Sequence, residues 1–326
     1  MDEKPRVYVT RELPEPALEK IEAECSMEVN PHDRALTRGE LEKAVQNIDG
    51  LLCLLTDNID QKLLELNPDL KIIANYAVGY DNIDVSVCTE RGIPVANTPG
   101  VLTETTADLT WALLMAAARR VVEADRFTRA GHFEEWGPML MLGQEVNGRT
   151  LGVIGLGRIG RAVARRAAAG FDMEVKYFDH SRDKNFENKY GLKNSSLEEI
   201  LQTSDFITLH VPLTPETEGM IGEKELKMMK ETACLINTSR GAVIDEKALL
   251  QAIRDDEIAG AGLDVYEDEP KLTPGLEHES KIVILPHIGS ASVKARTNMG
   301  LMAAENLLAG LKGEEIPNIV NPEALN

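Results

Sequence analysis

The stretch Leu151-Gly152-Val153-Ile154-Gly155-Leu156-Gly157-Arg158-Ile159-Gly160 is a short apolar run feeding three glycines in the spacing G-x-G-x-x-G. It reads as a buried strand turning sharply into a helix. Gly155 permits the tight turn, Gly157 lets backbone approach a diphosphate, and Gly160 lets the helix pack against the strand. The first N–H groups and the positive dipole end of that helix then face the phosphates. A second strand, Glu174-Val175-Lys176-Tyr177-Phe178, ends in Asp179, 19 residues beyond Gly160, where an acidic side chain meets the adenosine ribose. The pattern of a dinucleotide site is then complete. Gly155, Leu156, Gly157, Arg158, Ile159, Gly160, Asp179 and its neighbour His180 are the candidate cofactor contacts. A carboxylate accepts from the ribose hydroxyls of NAD, whereas the 2′-phosphate of NADP meets a repulsion of roughly 4 kcal/mol per charge pair at 4 Å in a surface-like dielectric. NAD is therefore favoured, while nearby Arg182 leaves NADP open. The plainer reading of Asp179 is a turn residue closing a strand.

Working outward from this motif, the chain of 326 residues is long enough for two domains with separate cores, and 43% apolar residues with 4% aromatic suit a globular α/β protein. Apolar runs at 6–10, 51–56 and 71–77 alternate with amphipathic stretches at 16–24, 39–47 and 60–67. The alternation resumes with strands expected at 150–154, 175–178, 206–211, 233–237, 262–266 and 282–285. Two parallel-sheet units result. Between them Thr105-Thr106-Ala107-Asp108 resembles a capping box opening a long helix through Trp111 to Ala118, and a second long helix is expected over 291–311. The net charge of −19 disfavours nucleic acid and anionic membranes as partners. Cys25, Cys53, Cys88 and Cys234 form no C-x-x-C pair and read as buried, reduced packing residues, and no metal is expected. With no charged-then-apolar opening and no apolar run near the roughly 18 residues that span a bilayer, the expected location is the cytoplasm.

Three reactive side chains follow the carboxyl ends of three different expected strands: Arg240, Glu269 and His287. In an open α/β sheet that edge is where ligands bind. Arginine presents a planar fork that clamps a carboxylate and polarises a keto oxygen. Histidine donates a proton as hydride arrives, and a glutamate beside it favours the imidazolium. Each has a plainer reading: Arg240 as a turn residue, Glu269 as one of three solvated loop acids with Glu267 and Asp268, and His287 as a hydrogen-bonded core histidine. Spacing alone barely separates Glu269 from its neighbours. Among the other histidines, only His210 beside Val211-Pro212 approaches a comparable setting.

Gly155-Leu156-Gly157-Arg158-Ile159-Gly160, Asn237-Thr238-Ser239-Arg240-Gly241, Ala261-Gly262-Leu263-Asp264-Val265-Tyr266 with Glu269-Pro270, and Pro286-His287-Ile288-Gly289-Ser290 together resemble the D-isomer-specific 2-hydroxyacid dehydrogenases. Within that family the chain looks most like the glyoxylate/hydroxypyruvate reductases. The likeness covers nearly the whole chain, including Asn75-Tyr76-Ala77-Val78-Gly79-Tyr80-Asp81-Asn82-Ile83-Asp84. It implies an α/β fold of two doubly wound parallel-sheet domains, with a Rossmann cofactor domain over 101–288 inserted into a flavodoxin-like substrate domain made of 1–100 and 289–326. It implies Arg240 as substrate binder, Glu269 as the histidine's partner and His287 as proton donor. It also implies Asp264 near the nicotinamide carboxamide, Thr238 and Ser239 lining the nicotinamide pocket, and Val78 and Gly79 offering backbone N–H groups to the substrate carboxylate.

The activity so implied is NAD(P)H-dependent reduction of small 2-keto acids such as glyoxylate and hydroxypyruvate to 2-hydroxy acids. Many reductases of this kind carry a small or basic residue where Asp179 stands, fitting NADPH. Trp136, in Glu135-Trp136-Gly137-Pro138, looks like a tryptophan that relatives extend into a neighbouring subunit's active site, which implies a homodimer; a core or interface tryptophan is the alternative. Phosphoglycerate or D-lactate type dehydrogenases are the nearest rivals, and an NADH-sensing, corepressor-like interaction protein is the rival from another class.

Overall fold

Short, mainly apolar runs with both faces buried are what helix-covered parallel strands require, and Gly50–Cys53, Ile72–Asn75, Phe206–Leu209 and Cys234–Asn237 are such strands, each buried at all four positions. The computed structural model describes residues 4–326. Its chain forms two units, one from the chain up to Leu102 together with Ala291–Asn326, the other from Thr103–Ser290.

In the first unit β1 (Arg6–Val9), β2 (Ser26–Val29), β3 (Gly50–Cys53), β4 (Ile72–Asn75) and β5 (Val95–Ala96) form an all-parallel sheet in the order β2-β1-β3-β4-β5. That is the flavodoxin-like order. The helix Val293–Lys312 belongs to this unit: Leu307 packs on Gly50 at the start of β3, and Gly310 lies against Ile72 of β4. Ser292 caps its first turn through the Ala295 N–H, and Gly313 in the left-handed region ends it.

In the second unit β6 (Thr150–Ile154), β7 (Glu174–Phe178), β8 (Lys193–Asn194), β9 (Phe206–Leu209), β10 (Cys234–Asn237), β11 (Gly260–Leu263) and β12 (Ile282–Ile284) form a parallel sheet in the order β12-β11-β10-β9-β6-β7-β8. The chain runs outward from β6 through β8 and returns on the other side of β6 with β9. The reversal opens a crevice at the carboxyl ends of β6 and β9, which is where this fold binds ligands. Alternation of side chains divides the core between the two faces of the sheet. Leu151 and Val153 of β6 share a cluster with Trp111, Leu113, Val163 and Ala164, while Ile154 packs with Ile200, Leu209 and Leu235. Each aliphatic side chain fully buried in this way contributes about 1.5–3 kcal/mol.

The doubly wound α/β class matches the sequence reading, but several local expectations are corrected. The helix begins at Thr103, directly after the Gly100 turn, so Thr105–Asp108 lie inside it rather than capping it; Thr106, Ala107, Thr110 and Trp111 already form its buried face. The strand expected at 206–211 ends at Leu209, because Pro212 has no N–H with which to continue a ladder. The strand expected at 262–266 starts at Gly260 and ends at Leu263, since Asp264 to Tyr266 turn away into a buried loop. Strand β2 was not expected: it is a four-residue edge strand whose exposed Ser26 and Glu28 leave only two apolar positions. β5 and β8, two residues each, are too short for any periodicity. All four cysteines are buried and unpaired. Among the described residues no helix is long and apolar enough to cross a membrane.

Candidate active site

The turn after β6 is built by close backbone approach. Gly155 has φ +92°, and a Cβ on it would lie 2.6 Å from the His210 carbonyl oxygen at the end of β9. A Cβ on Gly160 would lie 2.1 Å from the Gly155 oxygen, so any side chain there forces the helix off the turn. Around Gly157 there is open space: a Cβ on it would meet nothing within 4 Å. Gly157 also starts the helix Arg158–Gly170, whose first turn no side chain caps. Unfilled room beside uncapped helix N–H groups is what a dinucleotide diphosphate needs.

Leu156 donates its N–H to Asp179 Oδ2 at 2.7 Å, and Ser181 donates its N–H and hydroxyl to Oδ1 at 2.9 and 3.1 Å. Burial works to raise the Asp179 carboxyl, yet the Ser181 and Leu156 N–H groups hold it below its ordinary value, so it is ionised at neutral pH. Arg182 is committed elsewhere. Its Nε and Nη2 donate to Glu187 at 3.0 and 2.8 Å, and Tyr177 donates its hydroxyl to the same carboxylate. Arg182 first, then Tyr177, holds Glu187 down at about 2. His180 is exposed, its ring edge-on to Phe178; Leu156 is buried, Ile159 half-buried and Arg158 exposed. His210 pairs through Nε2 with the Thr208 hydroxyl at 2.9 Å, and burial pushes its imidazole down to about 3, so it stands neutral beside the glycine turn.

Arg240 follows β10 on a turn anchored by Asn237. The buried Asn237 amide donates to the Arg240 carbonyl at 2.8 Å, while its oxygen accepts from the Ser239 N–H and hydroxyl at 3.0 and 2.8 Å. Gly241 brings this turn onto the next loop, since a Cβ there would sit 1.8 Å from the Tyr266 carbonyl carbon and 2.3 Å from the Glu267 nitrogen. That loop carries Glu269. Its Oε2 pairs with His287 Nδ1 at 2.8 Å, and its Oε1 accepts the Tyr266 N–H at 3.1 Å. His287 adopts φ +53°, a left-handed conformation that costs a non-glycine residue about 1–3 kcal/mol. Asp264 holds it there. The Asp264 backbone oxygen accepts the His287 N–H at 2.9 Å, and its two carboxylate oxygens accept the Ile288 and Gly289 N–H groups at 2.7 Å each.

The structure therefore gathers Arg240, Glu269 and His287 on three neighbouring loops after β10, β11 and β12. The Arg240 charge adds to the forces that lower Glu269. Burial tends to raise the Glu269 carboxyl, but its hydrogen bond to His287, the His287 charge, the Tyr266 N–H and Arg240 hold it below the ordinary 4.5. Because the folded value lies under the unfolded one, the stabilisation from this pairing is complete above about pH 4.5 and is lost as the pH falls through the lower folded value. A carboxyl carbon-13 titration is expected to place the Glu269 midpoint below 4.5, and a midpoint above that value would contradict the pairing.

The other candidates lie around this cluster or stand apart from it. Asp264, 1% exposed, spends both carboxylate oxygens on the histidine loop. Thr238 lies beside the Thr110 hydroxyl at 3.0 Å, and Ser239 turns its hydroxyl back onto Asn237, so their side chains brace the turn. Val78 and Gly79 follow β4 in the first unit and are half-buried. Trp136 is 78% exposed, which removes the core reading within this chain. A cavity of about 330 Å³ is lined by Glu269 and His287 with Tyr266, Leu272 and Ile284, whereas a larger one of about 670 Å³ beside β1 and β2 contains none of the candidate residues.

Sequence reasoning missed two supports. Asn237 reads as an ordinary strand end. Glu246, 2% exposed, reads as a common first-turn helix acid, yet its carboxylate accepts the Glu267 N–H at 2.7 Å and the Thr273 hydroxyl at 2.6 Å and so anchors the loop bearing Glu269. Asn237 acts locally, on the turn that it begins, whereas only the packing of separate loops reveals what Glu246 does.

Comparison with known proteins agrees with this fold. Residues 111–289 match the family model for the NAD-binding domain of D-isomer specific 2-hydroxyacid dehydrogenases. A glyoxylate reductase of Korarchaeum cryptofilum is 54% identical over 99% of this chain and 97% of its own. A solved protein of Thermus thermophilus superposes with a TM-score of 0.90 at 46% identity, covering 97% of this chain and 99% of that one. An NADPH-dependent glyoxylate/hydroxypyruvate reductase of Sinorhizobium meliloti, solved with NADP and malonate, gives a TM-score of 0.86 at 31% identity over 98% of both chains.

Proposed function

The chain belongs to the D-isomer-specific 2-hydroxyacid dehydrogenases, NAD(P)-dependent oxidoreductases, and from that premise we propose that it reduces small 2-keto acids, glyoxylate and hydroxypyruvate foremost, to the 2-hydroxy acids. The observation that carries the reading is the 2.8 Å pair of His287 Nδ1 with Glu269, whose loop packs against the Arg240 turn at the carboxyl edge of a dinucleotide-binding sheet.

When bound, NAD(P)H supplies the hydride that reduces the keto carbon. Gly155 to Gly160 would hold its diphosphate and Asp179 its adenosine ribose. Arg240 clamps the substrate and draws electron density onto the keto oxygen with its planar fork. His287, with Nδ1 turned to Glu269, carries the transferable proton on Nε2 and gives it to that oxygen as negative charge develops there. Glu269 stabilises the imidazolium and fixes the ring, and Asp264 fixes the backbone on which the ring is mounted. Val78 and Gly79 offer backbone N–H groups to the substrate carboxylate.

Arg240→Lys is expected to lower kcat/KM for keto acids by about 10- to 100-fold, since an ammonium cannot reproduce a two-pronged charge-assisted contact. Its NADH dissociation constant should stay that of the parent; unchanged keto-acid kinetics would contradict the clamp. The ionised Asp179 and the Arg182–Glu187 lock support a preference for NADH over NADPH. The decisive experiment is a matrix of NADH and NADPH against glyoxylate, hydroxypyruvate, pyruvate and 3-phosphohydroxypyruvate. The highest kcat/KM is expected with NADH and one of the first two acids, and NADH binding without turnover of any of the four would overturn the enzymatic reading.

The exposed apolar side chains Phe133, Trp136, Met139 and Leu142 support a homodimer, for which light scattering should give twice the chain mass. Four buried, unpaired cysteines are in keeping with the reducing cytoplasm.

A further inference from the structure

We propose that Asn75 and Asn97 are positioning residues that set the backbone of Val78, Gly79 and Tyr80 to receive the substrate carboxylate, a proposal that rests on the reading of Val78 and Gly79 given above. Three successive carbonyl groups in this loop are each engaged by a donor. The Thr98 N–H donates to Ala77 at 2.9 Å, the Asn97 side-chain amide to Val78 at 2.7 Å, and the Asn75 side-chain amide to Gly79 at 2.9 Å. A trans peptide is planar, with its C=O and the next N–H pointing opposite ways. Fixing these three carbonyls therefore fixes the N–H groups of Val78, Gly79 and Tyr80 away from those donors. Among the described residues, none of these three N–H groups donates to a protein acceptor. Fixed backbone N–H groups left without a protein acceptor are able to bind an anionic oxygen through charge-assisted bonds.

Both asparagines are themselves anchored. Asn75, fully buried at the end of β4, also donates to the Asn82 side-chain oxygen at 3.1 Å, and Asn82 donates to the carbonyls of Leu54 and Asp57 at 3.0 Å each. Asp57, buried as well, accepts from the Leu54 N–H at 2.8 Å and the Thr10 hydroxyl at 2.5 Å, which ties the arrangement to the ends of β1 and β3. Asn97 is held through its own backbone: its carbonyl accepts from the Asn306 amide at 2.9 Å, and its N–H donates to the Asn318 carbonyl at 3.2 Å. A neutral carboxamide suits both places. It supplies the N–H donors that these carbonyls require, and it brings no negative charge toward an incoming carboxylate.

The test compares the full-length parent with Asn97→Ala, Asn97→Asp and Asn75→Ala, using glyoxylate and its uncharged amide, glyoxylamide, as paired substrates. The parent is expected to favour glyoxylate strongly. The variants should raise KM for glyoxylate more than they lower kcat and should reduce the glyoxylate-to-glyoxylamide ratio of kcat/KM by about tenfold. Asn97→Asp should be the most affected of the Asn97 pair, because it sets a carboxylate against the Val78 carbonyl. NADH affinity, read by fluorescence, reports on the other unit and should not move. A parent that uses both substrates equally would defeat the carboxylate reading itself. A discriminating parent whose folded Asn97 variants keep the full ratio would defeat the asparagine clamp alone. Should buried Asn75→Ala fail to fold, the half-buried Asn97 pair decides the matter.

Discussion

Replacing His287 by asparagine is expected to leave NADH binding intact and to lower keto-acid turnover by about 10²- to 10⁴-fold, the usual contribution of a positioned general acid. Asparagine is the informative replacement because position 287 has φ +53°, and asparagine tolerates the left-handed region better than most side chains. The backbone bonds from residues 287–289 to Asp264 then persist, so the loop keeps its shape while its acid is lost. Steady-state turnover with glyoxylate and a fluorescence titration with NADH give the two numbers. Turnover within threefold of the parent would remove the histidine from the mechanism, and a parallel loss of NADH affinity would show that the loop had collapsed instead.

Gly241→Ala should be nearly as damaging although residue 241 carries no reactive group. Its new methyl would lie 1.8 Å from the Tyr266 carbonyl carbon and 1.9 Å from the oxygen, and backbone on both sides leaves no flexible side chain to yield. Either the Arg240 turn or the Glu269 loop must shift by something like an ångström, a displacement that costs on the order of 10²-fold when reacting groups depend on mutual geometry. The expected result is a fall of about 10²-fold in kcat/KM for keto acids together with a lower melting temperature. NADH affinity should hold, since the glycine turn at 155–160 and Asp179 follow the separate strands β6 and β7. Parent-like kinetics in a folded Gly241→Ala protein would mean that the contact between the two loops is dispensable.

These two variants mark the boundary between what linear order reveals and what it hides. His287 stands out in the sequence because it follows a short apolar strand and sits in a Pro-His-Ile-Gly setting. Gly241 stands out only as part of a motif, and nothing local says that Tyr266 will lie against it. The same holds for Glu246: an acid in a helix's first turn is an ordinary placement, and its partners at Glu267 and Thr273 depend on how loops after separate strands pack. The capping box expected at Thr105 failed for a related reason. The helix is already running at Thr103, and tertiary burial of Thr106 and Thr110 extends its inner face a turn earlier than local preference indicates.

Backbone period and strand chemistry are local properties, so the amino-acid order alone determined the alternation of parallel strands and helices, the G-x-G-x-x-G turn with Asp179 beyond it, and the three reactive residues just past strand ends. Direction in space is not local. Among Glu267, Asp268 and Glu269 no rule of spacing chooses, because a loop aims its side chains according to distant anchors. Only the folded chain, with Glu246 gripping the Glu267 N–H and Gly241 pressed on the Tyr266 carbonyl, turns the Glu269 carboxylate to His287 Nδ1.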